Sequence, residues 1–162
     1  MAVTDDIVAT YRRPGAVMRR LLAGERHEAR ALAYLIAALS VIYVSQWPGL
    51  SRDAFLDPSV PMTQRMVAAL LAVLATIPAF YLLAAFGHIA ARTFGGTGSY
   101  FGARIALFWA LLAVAPLMLL QGLVAGFVGP GAGLTLLGVL VFAVFLWFWI
   151  TGLRAAEFGG RE

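Results

Sequence analysis

The chain alternates between short charged stretches and long runs without charge, and these runs predict the elements. Between Arg30 and Arg52 lie 21 uncharged residues, apolar over 31–47. Tyr43 and Trp47 suit a membrane interface there, and Pro48-Gly49 is expected to end the helix. Residues 66–91 form a second charge-free run of 26 residues. Pro78 falls inside it and removes a backbone donor, which predicts a kink rather than a break. A third run, 105–153, has 49 residues without charge and is too long for one helix. The sequence Gly129-Pro130-Gly131-Ala132-Gly133 divides it into 105–128 and 134–153, joined as an antiparallel hairpin, with Pro116 bending the first. A helix rises about 1.5 Å per residue and a hydrocarbon core is about 30 Å thick, so each run is close to one crossing. The expected fold is all-α: a four-span transmembrane bundle.

Residues 1–30 precede the first run. Thr4 is a candidate N-cap with Asp5 and Asp6 in the first turn, and Ile7, Val8 and Tyr11 share a face. After Pro14-Gly15, a second short helix would set Val17, Met18, Leu21 and Leu22 opposite Arg19, Arg20 and Arg26. This is the pattern of an amphipathic segment lying on the cytoplasmic leaflet. Residues 154–162 read as a cytoplasmic tail. The start of the chain lacks a basic region followed by an apolar core, so it is not read as a cleavable signal. No internal repeat is visible.

Composition agrees with a bilayer as solvent: 62% of residues are hydrophobic, 12% are charged, and mean hydropathy is +0.87. All twelve basic residues are arginine. Ten fall on the side of the N-terminal segment, the 92–104 loop and the tail; only Arg52 and Arg65 fall on the other. The positive-inside rule then puts both termini in the cytoplasm. Scattered between apolar runs, these arginines face anionic lipid and do not form a nucleic-acid surface. The absence of cysteine excludes disulfides and thiolate chemistry.

Polar positions inside the runs are few. His27-Glu28-Ala29-Arg30-Ala31 opens like a zinc-protease helix, but Ala31 stands where a second histidine is needed. The Glu25, His27, Glu28 cluster therefore reads as a solvated helix start, with Glu25–Arg30 as a nearby pair. His88 is the one ionisable side chain within a predicted span and is a functional candidate by that fact. Its place four residues from Arg92 fits a packed interfacial histidine. Gln121 is deep in the third span and calls for a partner, with Ser40 and Thr76 as candidates. Gly122 and Gly126 form a GxxxG that lets two backbones approach, on another helix or on a second copy. Ala68/Ala72 and Ala75/Ala79 offer similar small faces.

The glycine-rich loop 93–102 lacks Gly-Lys-Ser/Thr and is read as a flexible turn, with Tyr100 and Phe101 at the interface. No nucleophilic triad is evident, and no aspartate or glutamate falls within a predicted span, which counts against a carboxylate-driven pump. No catalytic, metal-binding or cofactor-binding residue is assigned.

Leu83-Ala84-Ala85-Phe86-Gly87-His88, then Gly95-Gly96-Thr97-Gly98-Ser99-Tyr100, then an apolar helix with Pro116 near its middle, resembles the Yip1-domain family. The segment from Tyr11 to Leu21, with Pro14, is similar to that family's short proline-containing lead-in. The resemblance implies a polytopic membrane protein. Eukaryotic members act in vesicle trafficking and associate with Rab-type GTPases. The family often shows five spans and a long cytoplasmic N-terminal region; four spans and no such region are read here, which counts against a GTPase partner. The arginine- and alanine-rich, lysine-free composition suggests a high-GC bacterium and hence the inner membrane. The expected role is non-enzymatic, organising or binding membrane partners, with a homo-oligomer or another membrane protein as partner. The alternative is a small oligomeric transporter or channel subunit with His88 and Gln121 near its pathway.

Overall fold

The computed structural model describes residues 3–24 and 27–159. It contains α1 (Val3–Arg12), α2 (Pro14–Ala23), α3 (Glu28–Leu56), α4 (Met62–Ala75), α5 (Ile77–Thr93), α6 (Tyr100–Phe127) and α7 (Ala132–Phe158). No strand occurs among the described residues. Four stretches are long and apolar enough to cross a bilayer: α3, α4 with α5, α6 and α7. The protein is an all-helical, multi-pass membrane protein, as its charge-free runs predict.

Three of the four helical stretches extend beyond both ends of their apolar runs, and α6 extends only at its start. Pro48-Gly49 does not end α3, which continues to Leu56. The Pro48 ring is wedged against α6 at Gly126, where an added Cβ would come within 2.4 Å of Pro48 Cβ. Packing holds the helix through a residue that would stop it in water. At Pro78 the chain does kink. Thr76 alone separates α4 from α5, and both its N–H and its hydroxyl donate to Val73 O, at 3.1 and 2.6 Å. Pro78 then falls in the first turn of α5, where its missing N–H has no helical acceptor to lose. Ser99 caps α6 by accepting from Gly102 N–H at 3.2 Å. α7 begins at Ala132, inside the expected glycine link, and runs five residues past Leu153.

α3 and α6 run parallel in close contact. Arg104 pairs with Glu28 at their first turns (2.7 Å), and Arg52 donates to Gly126 O near their last turns (3.3 Å). Glycine makes this contact possible. A Cβ at Gly122 would lie 1.8 Å from Ser45 O, so the two backbones meet with nothing between them. The GxxxG face is therefore filled within the chain. Gln121 takes neither expected partner: the hydroxyls of Ser40 and Thr76 donate to carbonyls of their own helices, at Ile36 and Val73. Gln121 lines an open crevice with Gln46 and Asp53 instead.

The first thirty residues also differ from expectation. Two helices form, but α2 turns Val17, Met18 and Leu21 into the protein core, where they are 3%, 2% and 8% exposed. On α1 the inward face carries Asp6 and Thr10, while Val8 points out. Trp109 of α6 explains this choice. Its indole N–H donates to Thr10 Oγ1 at 3.1 Å, and the Thr10 hydroxyl donates to Asp6 O at 2.7 Å. The Asp6 carboxylate forms an ion pair with Arg20 that ties α1 to α2. Tyr11 reaches furthest, donating to Ala113 O at 3.0 Å and meeting Phe148 edge-on. Ala113 lies thirteen residues into α6, so the α1–α2 hairpin follows that helix for about 20 Å. At the start of α3 the exposed Glu28 pairs with Arg104, and Arg30 donates to Leu21 O. Glu25, Arg26 and Arg161 lie outside the described residues, and with them the expected Glu25–Arg30 pair.

Candidate functional site

The site is built where α5, the 94–99 loop and the last turns of α7 meet. Leu153 marks the end of the charge-free run, but nothing between it and Gly159 breaks a helix. Arg154, Ala155, Ala156 and Glu157 are all good helix formers. α7 therefore continues and carries Glu157 inward, to 1% exposure. The helix thus continues through 154–158 of the expected tail, and an acidic residue beyond the predicted span is buried against the bundle.

Glu157 meets His88, the sequence candidate on α5. His88 Nδ1 and Glu157 Oε1 are 2.5 Å apart, with side chains 2% and 0% exposed. One proton fills that contact, carried on nitrogen or on oxygen according to the tautomer. The second carboxylate oxygen accepts Gly98 N–H at 3.0 Å. Glu157's own carbonyl accepts Thr97 N–H at 2.9 Å. Tyr100 lies over the imidazole, ring centroids 4.2 Å apart. Every polar atom of the buried carboxylate thus has a partner, as burial demands.

The glycines of the loop have a definite task here. A Cβ on Gly98 would lie 2.4 Å from Ala156 O and 2.8 Å from Glu157 Oε2. Gly95, at φ 86°, makes the turn that leaves α5. The loop is thus a clamp fitted onto Glu157 rather than a flexible turn. Tyr100 stays half exposed at its edge, and Phe101 is buried.

The remaining sequence candidates do not join this site. Gln121 is twenty-one residues along α6 from Tyr100, about 30 Å away. Gly122 and Gly126 serve the α3–α6 contact, Pro78 the α4–α5 kink. Pro116 stands just beyond the Tyr11–Ala113 bond: with no N–H of its own, it cannot bond the Leu112 carbonyl beside it. Sequence reasoning missed Glu157, Thr10 and Trp109. The signal available for Glu157 was the unbroken run of helix formers after Leu153. Among the described residues no group of three histidine, aspartate or glutamate side chains is placed to hold a metal ion.

Arranged this way, the pair joins α5 to α7 and pins the loop that starts α6. Neither the curated proteins nor the solved structures include a match to this chain. The family model of the Yip1 domain does match, over residues 8–161 and hence nearly the whole chain, from the N-terminal hairpin through Glu157: the protein belongs to the Yip1-domain family.

Proposed function

We propose that this protein is a non-enzymatic organiser of the inner membrane, with its arginine-rich end and both termini in the cytoplasm, that binds another membrane-embedded helix or a second copy through the outer face of α4 and α5. The observation that carries this reading is the contrast between a closed polar site and an open apolar face. The buried acid–imidazole pair is fully occupied in joining its own helices and loop. The α4–α5 span has only 6% of its most apolar window buried in the protein, against 50% for α6. Leu71, Leu82 and Phe86 stand out from it, each about 60% exposed. Helices meet in lipid through packing of such faces.

The transporter reading finds less support. His88, on α5 against Tyr100 at the start of α6, is far from Gln121 near the other end of α6, and between them Trp109 and Ala113 sit in an apolar core. Photo-crosslinking residues at Leu71 and Leu82, in native membranes, test the proposal. A single stoichiometric protein adduct, or a dimer of this chain, supports it. Adducts with lipid alone, or solute flux in liposomes that is lost in His88→Ala or Gln121→Ala variants, would overturn it.

A further inference from the structure

A groove of about 480 Å³ runs between α5 and α7 on the far side of the histidine–glutamate pair. That volume is in the range of small-molecule sites, which run from about 300 to 1,000 Å³. Gly87, Ala90 and Ala91 form one wall, and Trp149 and Leu153 form the other. The small residues on α5 create the space: a Cβ on Gly87 would already stand 3.2 Å from the Trp149 ring. The walls are apolar, but Arg154 stands at the rim. Its guanidinium has no ion pair or hydrogen bond among the described residues. The neighbouring Glu157 cannot neutralise it, because that carboxylate is buried and bonded to His88 and Gly98.

An apolar groove whose rim carries a cation without a partner among the described residues has the chemistry of a site for an amphiphile with an anionic head. We infer that this groove binds one anionic phospholipid, an acyl chain against Gly87, Ala91 and Leu153 and the phosphate on Arg154. An arginine near an anionic headgroup contributes a preference of roughly fivefold over a zwitterionic one. The inference does not depend on the partner proposed above, since the groove and the Leu71–Leu82 face involve different residues.

The test uses the full chain in nanodiscs of equal phosphatidylglycerol and phosphatidylcholine, released gently into native mass spectrometry. The wild type should retain one phosphatidylglycerol in roughly fivefold preference. Arg154→Gln should retain lipid without that preference. Ala90→Trp, at an exposed wall position, should lose the retained lipid of both kinds. Arg92→Gln, at an arginine that does not line the groove, should behave as wild type. Equal retention of the two lipids by the wild type would overturn the site. So would unchanged preference in Arg154→Gln, unchanged retention in Ala90→Trp, or a loss in Arg92→Gln as large as in Arg154→Gln.

Discussion

The two halves of α6 are equally apolar and differently enclosed. From Phe101 to Ala115 all but Arg104 of its residues are buried, surrounded by α3, α5, α7 and the α1–α2 hairpin. From Pro116 to Phe127 the same helix shows Leu119, Leu120, Leu123 and Phe127 to the surroundings. The first half is organised by polar contacts made in a dry place: Trp109 to Thr10, Tyr11 to Ala113, Glu157 to His88 and Gly98. The second is organised by glycine, with Gly122 and Gly126 bringing α6 onto the backbone of α3. Where lipid is as apolar as leucine, hydrophobicity does not choose between neighbours. Close approach and satisfied polar groups do.

The largest effect expected is at Glu157. Replacing it with leucine leaves His88 and Gly98 N–H buried without partners and should cost about 3–5 kcal/mol, read as thermal unfolding in detergent. The double variant His88→Leu/Glu157→Leu, with fewer orphaned groups, should recover part of the loss. No recovery would mean that the pair does not act as a unit.

That result bears on how much of the molecule was legible in its sequence. The spans were, because a stretch of about 20 residues without charge has little alternative to crossing a bilayer. Their ends were not, because charge and proline are treated as stops. Pro48 sits inside α3 because α6 packs against it, and Arg154 sits inside α7 because the helix continues to Phe158. His88 was visible as an ionisable residue in an apolar run; its partner lay beyond that supposed stop. The inward face of α1 was hidden for a related reason. Ile7, Val8 and Tyr11 look like the buried face, yet Asp6 and Thr10 are turned inward to answer an indole ninety-nine residues away. Amphipathic pattern finds a face but not the polar partner that overrides it.

At the other half, Gly122→Ala should destabilise by about 1–3 kcal/mol, since its methyl has to displace Ser45 backbone. Gly133→Ala, with nothing within 4 Å, should stay within about 0.5 kcal/mol of wild type. If the two glycines behaved alike, close backbone contact would not be what holds this half together. Tyr11→Phe, which removes one hydrogen bond and keeps the ring against Phe148, should cost about 0.5–1.5 kcal/mol.

The smallest effect concerns the 57–61 turn at the far end. Hydrogen bonds from the Ser59 hydroxyl and N–H, helped by Arg65, hold the Asp57 carboxyl below its ordinary value of 3.8. A depressed value means that the turn is supported above that pH and loses support as pH falls through the lower folded-state value. Hydrogen exchange at Ser59, relative to its intrinsic rate, should therefore quicken below about pH 4. Faster exchange with rising pH beyond the intrinsic chemistry would contradict the assignment.

Most of the difference between the halves traces to the N-terminal hairpin being seated against α6 and α7. The chain has no cysteine, so a pair can be introduced without background. A Cβ at Gly15 would lie 3.7 Å from Thr151 Cγ2. With Gly15→Cys and Thr151→Cys together, oxidation in native membranes should link the hairpin to α7 nearly completely. If the two thiols stayed unlinked, and the one introduced in place of Gly15 reacted freely with a water-soluble maleimide, the hairpin would lie outside the bundle and its seating against α7 would be contradicted.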